Sequence, residues 1–195
     1  MSTQQIDRPR SVESHRLEDS SPDRVEALSA EEFRRVFREH PAGVALVTAE
    51  AGDGPVALTA TSVSSVSAEP PLLVFSISDQ SSASTTINSA DTVIVHLLSS
   101  AQLGLAKLGA TSGIDRFADR AIWSRLDTGE PYFPAARTWV RGRVLHRLRA
   151  GTSTVVIVHA LDAALPEPSE TGIAATPLVY VSRTWHALGE PSRIE

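Results

Sequence analysis

The sequence predicts a mostly β fold of the α+β class, an antiparallel barrel with a few short helices at its periphery. Three observations predict it: many short apolar runs bounded by turn residues, few stretches with a helical period, and no regular alternation of strand and helix. The missing alternation disfavours a doubly wound parallel sheet. With 195 residues, the chain has room for one domain with a sizeable core.

Each predicted element rests on a local signal. The first helix begins at a capping box formed by Ser29 and Glu32, and it ends at His40 because a residue before proline disfavours the α region. Its apolar residues share one side: Phe33, Val36 and Phe37. Two further short helices are predicted over 84–89 and 100–108. Strands are predicted over 44–48, 55–62, 72–78, 92–98, 136–149, 154–161 and 178–182.

The polarity of the two ends of the chain suggests where the domain lies. Residues 1–27 are polar and charged and lack the apolar core of a secretory signal, so we expect a disordered N-terminal tail. The domain is expected over 28–188, followed by a C-terminal tail over 189–195. No apolar run is long enough to predict a membrane helix, and we expect a cytoplasmic protein without membrane contact.

Composition excludes several classes of site. The chain has no cysteine, which rules out disulfides, zinc–thiolate sites, iron–sulfur clusters and cysteine nucleophiles. A formal net charge of −5 argues against nucleic-acid binding. The histidines form no close pair with metal-ligand spacing, so no metal site is predicted. The phosphate loop, the dinucleotide fingerprint and the nucleophile elbow are also missing from the sequence.

Two hydroxyl-rich segments are the main candidates for a binding site. The run Thr59–Ser67 carries six hydroxyls between two predicted strands, and unpaired buried polar groups cost about 1–3 kcal/mol each. Either the backbone pairs these hydroxyls or a polar ligand lies against them. The second segment, 78–86, leads into a helix near Ser84, whose free N–H groups would suit a phosphate. A solvated loop with a helix cap is the alternative.

Arginines provide the remaining candidates. Asp115-Arg116-Phe117 supplies a cation and an aromatic ring, and the arginine fork suits a phosphate, although a surface ion pair explains the same residues. One predicted strand carries arginines of the same parity, which indicates a solvated face, at a barrel rim or a dimer edge: Arg137, Arg141, Arg143, Arg147 and Arg149.

Taken in order, these landmarks resemble a known family. They are Phe33-Arg34, the stretch 40–48, the block LTATSVSSVSAEPPLLVFSI over 58–77, and then 82–85, 95–98 with Gln102, 115–118, 129–131 and 177–180. From about residue 30 to 186, the chain resembles the flavin reductase-like, split-barrel flavoproteins, the small components of two-component flavin monooxygenases. The block over 58–77 is the specific part of the match.

The resemblance implies a fold and a set of partners. It implies a split β-barrel with Greek-key character that acts as an NAD(P)H-dependent flavin reductase, taking NADH or NADPH as electron donor. Reduced FMN or FAD would diffuse to a separate monooxygenase. It also implies a homodimer with flavin sites near the interface. From the sequence, we expect the arginine-rich strand and Trp139 to lie at that interface.

In the family, the Thr-x-Thr-Ser segment holds the isoalloxazine edge and the ribityl chain, while the polar loop and the Asp-Arg-Phe segment bind the flavin phosphate. The corresponding residues here are Thr59, Ala60, Thr61, Ser62, Ser65, Ser78, Ser82, Ser84, Thr85, Arg116 and Phe117.

Three departures from the family pattern leave the electron donor open. The family's Gly-Asp-His is Gly151-Thr152-Ser153 here, its Pro-Thr-Gly is Pro41-Ala42-Gly43, and its usual asparagine in the Val-Asn-Leu strand is His96. His159, which follows Gly151-Thr152-Ser153 closely in the sequence, is a candidate for orienting the nicotinamide. The alternative function is a flavin-binding protein without nicotinamide-dependent turnover, a carrier or interaction partner. A haem-associated split barrel, with His96 or His186 as ligand, is a third possibility.

Overall fold

The computed structural model describes residues 27–166 and 176–194. Of the disordered tail expected over 1–27, residues 1–26 therefore lie outside the described residues. The helices are α1 (Ala30–Arg38), α2 (Ser84–Ser89) and α3 (Leu103–Ala110), with 3₁₀ turns at Ser100–Gln102 and Glu190–Ser192. The strands are β1 (Ala42–Gly43), β2 (Ala45–Glu50), β3 (Pro55–Ala60), β4 (Ser64–Ala68), β5 (Pro71–Ser78), β6 (Thr92–Leu97), β7 (Ser124–Arg125), β8 (Pro131–Tyr132), β9 (Trp139–Ala150), β10 (Ser153–Ala164), β11 (Leu178–Val181) and β12 (Thr184–Ala187).

The main sheet has seven antiparallel strands in the order β3-β2-β6-β9-β10-β5-β4. Its two outermost strands, β3 and β4, follow each other in the chain and are separated only by residues 61–63. The chain therefore runs from one edge of the sheet to the other within three residues, which can span only about 10 Å. This continuity curls the sheet into the predicted split barrel. Two small sheets, β1-β11-β12 and β7-β8, complete the fold.

Two apolar clusters form the core. The first fills the barrel and includes Val47, Phe75, Ile77, Val95 and Val156. The second packs on the other face of β2 and β3, beneath α3 and the segment 115–136; it includes Leu46, Ala106, Phe117, Trp123 and Phe133. The alternation of side chains along a strand explains this division, because Leu46 and Val47 point to opposite faces of β2.

The predicted capping box of α1 is confirmed. The Glu32 carboxylate accepts hydrogen bonds from the Ser29 N–H at 2.9 Å and from the Ser29 hydroxyl at 2.7 Å, while Ser29 Oγ accepts from the Glu32 N–H at 3.2 Å. The apolar side of the helix is not buried within the described chain. Phe33, Val36 and Phe37 are 54 %, 64 % and 55 % exposed.

The prediction of a solvated arginine face on β9 is wrong for Arg141 and Arg147. Ile157 pairs with His146 and Val158 with Val144, so Leu145 has no partner on β10 and forms a β-bulge. The bulge reverses the alternation, and Arg147 stands opposite the buried Val156. The Arg147 guanidinium donates to the carbonyl of Ala90, which follows α2 directly. Arg141 lies 2.7 Å from the buried carboxylate of Glu130.

Candidate functional site

The hydroxyl run splits into residues that hold the fold together and residues that face solvent. Thr59 Oγ1 donates to the Ala106 carbonyl at 2.7 Å, and so it fixes α3 to β3. The neighbouring Ala60 is 4 % exposed and packs in the barrel core. The side chains of Thr61 and Ser65 are exposed on the surface. Of these four, Thr61 and Ser65 are therefore open to a ligand, while Thr59 and Ala60 position the strand behind them.

Ser62 lies at the bend between β3 and β4, opposite Ser76 of β5. The Ser62 hydroxyl donates to the Ser76 carbonyl at 3.1 Å and accepts from the Ser76 N–H at 3.0 Å. A backbone partner is missing at this point because the chain is leaving one strand for the next. The first of the two expectations for the hydroxyl run, that the backbone pairs them, thus holds for Ser62 as it does for Thr59.

The second polar segment connects β5 to α2. Ser78 Oγ accepts from the Gln80 N–H at 3.3 Å, and the buried Ser84 accepts from the Asn88 side-chain amide at 3.2 Å. Thr85 is exposed. Ala83 stands at the N-cap of α2 and provides no side-chain hydrogen bond, while the Ser84 N–H donates to the Ser81 carbonyl at 3.0 Å.

Arg116 reaches this loop from a distant part of the chain. Its Nη1 donates to Ser82 Oγ at 3.3 Å and its Nη2 to the Thr111 carbonyl at 2.7 Å. The buried Nε of Arg116 has no partner among the described residues. The structure thus brings together Ser82 and Arg116, two residues that the sequence proposed independently.

Phe117 supports Arg116 from the core. Its ring is 5 % exposed and meets the Trp123 ring edge to face, with 5.0 Å between centroids. Trp123 Nε1 also donates to the Phe117 carbonyl at 2.9 Å, and the Phe117 N–H donates to Asp115 Oδ1 at 2.9 Å. The ring is therefore committed to the second core cluster and is not presented to a ligand.

The turn Gly151-Thr152-Ser153 lies beside the same polar loop. The Thr152 carbonyl accepts from the Asp79 N–H at 3.0 Å, and Ser153 pairs with Ser78. The Arg149 guanidinium lies 2.8 Å from the Asp79 carboxylate. The sequence did not predict this contact, because it joins residues 70 positions apart.

The candidate histidines have different environments. His159 pairs with Leu72, six residues from Ser153 along an extended strand, which amounts to about 20 Å. His96 is fully buried: its Nδ1 lies 2.9 Å from the Leu46 carbonyl and its Nε2 accepts from the Phe133 N–H at 3.1 Å. Both ring nitrogens are thus used within the fold, which leaves none for a haem iron. Burial lowers the pKa of His96 to about 4, although the Leu46 carbonyl acts in the opposite direction.

A cavity of about 800 Å³ opens between α1, β1, the bend at 61–64 and the turn between β11 and β12. Thr61 and Ser62 line it, together with a set of residues that the sequence reasoning did not assign to any site: Phe33, Arg34, Phe37, Arg38, Tyr180 and Arg183. The Ser182 N–H donates to the Arg38 carbonyl at 2.8 Å and closes the far side. The sequence contains one signal for this cavity: Arg34 and Arg38 lie four residues apart on the first helix and therefore share one side of it.

The polar corner around Arg116 fits a phosphate monoester. The Arg116 guanidinium and the Ser82 hydroxyl beside the start of α2 are groups with which proteins hold phosphate oxygens. No carboxylate accepts from Arg116 within the described residues. In the same ranges, no group of three or more acidic or histidine side chains is placed to hold a metal ion. None of the helices described here has the length and apolar character needed to cross a membrane.

Comparison with known proteins gives consistent similarities. Residues 37–189 match the family described as flavin reductase like domain. The chain is 40 % identical over 179 residues to an NADH:FMN oxidoreductase of Rhodococcus qingshengii, covering 89 % of this chain and 92 % of that protein. It is 29 % identical over 148 residues to the reductase component of a 4-nitrophenol 4-monooxygenase/4-nitrocatechol 2-monooxygenase of Rhodococcus opacus, covering 75 % and 79 %. A crystal structure of a flavin reductase domain protein from Arthrobacter sp. FB24 superposes with a TM-score of 0.74 at 30 % identity, covering 82 % and 95 %.

Proposed function

The chain belongs to the flavin reductase-like domain family, and from that premise we propose that it is an NADH-dependent flavin reductase that acts on FMN. The observation that carries the proposal is the family match over 37–189, which contains every predicted flavin-binding residue. The Rhodococcus qingshengii relative, named as an NADH:FMN oxidoreductase, supports NADH and FMN over NADPH and FAD.

The phosphate end of the flavin is assigned to the corner around Arg116. Ser82 and Arg116 supply a hydroxyl and a cation 3.3 Å apart, and the start of α2 adds the exposed Thr85 and the hydroxyl of Ser84, whose N–H is taken by the Ser81 carbonyl. The Thr111 carbonyl aligns the guanidinium by accepting from Nη2. Charge-assisted hydrogen bonds of this kind contribute about 1.5–3 kcal/mol each.

The ring end of the flavin is assigned to the bend of the hydroxyl run. Thr61 and Ser65 are exposed there, while Thr59 and Ser62 hold the backbone in place through their own hydrogen bonds. When bound, nicotinamide and flavin themselves supply the hydride chemistry, so the residues of the chain need only align the two rings and exclude water. No side chain has to give or take a proton, and the lack of the family's Asp-His pair at 152–153 leaves this role intact.

A separate monooxygenase that takes up the reduced flavin is the proposed partner. The Rhodococcus opacus relative is named as the reductase component of a monooxygenase, which supports this assignment. Because the product leaves by diffusion, the partner needs no docking surface on this chain. We place the reaction in the cytoplasm, where NADH is available.

We also propose that the protein is a homodimer. Its support is a row of half-buried apolar side chains on the outer face of the barrel: Val155 pairs with Leu148 and Ile157 with Val74, while the exposed Ser76 and His146 are their partners on the opposite sides. A second copy packed on this row would bury it. Size-exclusion chromatography with light scattering tests this, and a monomer that still binds flavin would contradict it.

The reductase proposal is tested by stopped-flow mixing of the protein with FMN and NADH under anaerobic conditions. Loss of flavin absorbance at a rate that depends on the protein concentration is the expected result. FAD and NADPH are run in parallel to measure selectivity. A protein that binds FMN but does not bleach it with either nicotinamide would be a flavin carrier, and a protein without flavin affinity would contradict both functions.

A further inference from the structure

The cavity between α1 and the bend at 61–64 has a charge opposite to that of the whole chain. Although the formal net charge is −5, the cavity is lined by three arginines and one histidine and by no carboxylate. The arginines are Arg34, Arg38 and Arg183. Within the described residues none of them forms an ion pair. A concave, cation-lined surface concentrates anions.

The three arginines reach the cavity from two elements that are held together. Arg34 and Arg38 lie four residues apart on α1, hence on the same side of the helix. The Ser182 N–H donates to the Arg38 carbonyl at 2.8 Å, which attaches the turn carrying Arg183 to the end of α1. Three cations from two elements supply enough positive charge for two adjacent phosphate groups.

Aromatic rings line the same cavity. The Phe33 and Phe37 rings lie 4.7 Å apart and are 54 % and 55 % exposed, and Tyr180, whose ring packs on Trp185 at 4.6 Å, also lines the cavity. Exposed rings of this kind provide a surface on which a planar base can stack. Rings together with cations thus indicate a nucleotide. A volume of about 800 Å³ is in the ordinary range for such a ligand.

Arg183 is held in a backbone conformation that favours glycine. Ser182 has a φ of 49° and Arg183 a φ of 61°, at the two central positions of the hairpin turn between β11 and β12. Asn-Gly is the usual pair in such a turn, since the backbone of residues other than glycine and asparagine is strained at these angles. An arginine at this position lowers the stability of the turn, and its presence is explained if its guanidinium is needed in the cavity.

We propose that this cavity binds the adenylate half of the nicotinamide dinucleotide. The base lies against Phe33 and Phe37, and the pyrophosphate faces Arg34, Arg38 and Arg183. Thr61 and Ser62 line the cavity and also belong to the predicted flavin edge, so the nicotinamide half extends toward the flavin. The identity of the dinucleotide rests on the proposed function; the preference for an anionic nucleotide does not.

A comparison of NADH with reduced nicotinamide mononucleotide, which lacks the adenylate, tests the proposal kinetically. Arg34→Gln and Arg38→Gln are each expected to raise KM for NADH about tenfold or more, with kcat unchanged, and to raise KM for the mononucleotide by less, because it keeps only one of the two phosphates. Arg35→Gln is the matched control, since Arg35 lies on the same helix but does not line the cavity. Equal effects on both donors, or an equal effect of Arg35→Gln, would overturn the proposal.

Arg183→Gly separates a binding role from a structural one. Glycine relieves the strain at this turn, so Tm is expected to rise by about 2–4 °C. If Arg183 contacts the pyrophosphate, KM for NADH rises at the same time, as for the α1 variants. A more stable variant with unchanged KM for NADH would remove Arg183 from the site.

Calorimetric titration with 5′-ADP gives a readout that does not depend on turnover. The wild-type protein is expected to bind ADP, and binding is expected to weaken about tenfold or more in Arg38→Gln but not in Arg35→Gln. No binding of ADP by the wild type overturns the proposal. If ADP binds at this cavity while NADH is never oxidised, the reductase function fails and the nucleotide site stands; if NADH is oxidised and the arginine variants behave as wild type, only the nucleotide site fails.

Discussion

Ser62, in the bend between the edge strands β3 and β4, is held to Ser76 of β5 by a pair of hydrogen bonds at 3.1 and 3.0 Å. Ser64 pairs with Val74, so position 62 is the next in register opposite position 76. The backbone has already bent toward β3 at that point, and the Ser62 hydroxyl takes the place of its peptide group by both donating and accepting. The Ser62 side chain thus continues the hydrogen-bond ladder between β4 and β5 into the bend that leads to β3.

Ser62→Ala is therefore expected to lower the free energy of unfolding by about 1–2 kcal/mol, because both hydrogen bonds are lost at once. Ser65→Ala is the control, as Ser65 is exposed on the adjoining strand. Urea denaturation followed by tryptophan fluorescence measures both variants. Equal midpoints for the two would show that water replaces the Ser62 hydroxyl without cost.

Arg116→Gln is expected to weaken the binding of FMN more than the binding of riboflavin. Riboflavin lacks the phosphate that Arg116 and Ser82 are proposed to hold, so only KM for FMN should rise, by about 10- to 100-fold. Arg120→Gln is a matched control, because Arg120 is exposed and lies over the Trp123 ring at 4.8 Å. A similar loss for both flavins would assign Arg116 a role in folding rather than in phosphate binding.

His96 is expected to make the protein acid-sensitive. The pKa of His96 is lowered from 6.5 to about 4 in the folded protein, so between these values the unfolded chain binds a proton that the folded chain does not. Stability is thus complete above about pH 6.5 and falls as the pH is lowered toward 4, by roughly 3 kcal/mol in all.

Denaturation midpoints between pH 4 and 7 measure this dependence. His96→Gln removes the titrating group and should flatten the curve over that interval, although its stability at pH 7 will be lower because the Phe133 N–H loses its acceptor. His186→Gln, at an exposed position, should keep the wild-type slope. An unchanged slope in His96→Gln would assign the acid sensitivity to another group.

Local signals in the sequence were sufficient for most of the elements. The capping box at Ser29 and the helix over 84–89 were predicted with the bounds that the structure shows, since caps and helical periods act over a few residues. The short strands β1, β7, β8 and β12 were not predicted, and the longer strand β4 was missed as well. Its residues belong to the hydroxyl run, and Ser64 and Ser65 form a strand only because β5 provides partners.

The site depended more on tertiary packing. The sequence predicted that Ser82 and Arg116 belong to one phosphate site, because a phosphate needs a cation near a helix start, but it did not predict their hydrogen bond. The buried place of Phe117 was not, since an aromatic residue beside an arginine looks the same in a sequence whether it stacks on a ligand or packs in the core. The cavity beside α1 also could not be predicted, because Arg38 and Arg183 meet only through a hydrogen bond between distant segments.

Gly109 and Gly104 of α3 provide the last prediction, a matched pair on one helix. A Cβ at position 109 would lie 2.3 Å from Leu46 Cδ1 and 2.4 Å from Thr59 Oγ1, whereas a Cβ at position 104 meets nothing within 4 Å. Gly104→Ala is therefore expected to stabilise the protein by about 0.5–1 kcal/mol through helix propensity alone.

Gly109→Ala is expected to destabilise it by about 1–3 kcal/mol, because α3 must move away from β3 or Thr59 must leave its rotamer. Either movement breaks the Thr59–Ala106 hydrogen bond behind the predicted flavin edge, so KM for FMN should rise as well. Thermal unfolding and steady-state kinetics on the two variants measure both effects. If Gly109→Ala lost stability but kept its KM for FMN, the position of Thr59 would not matter for binding, and the flavin edge would have to begin at Thr61.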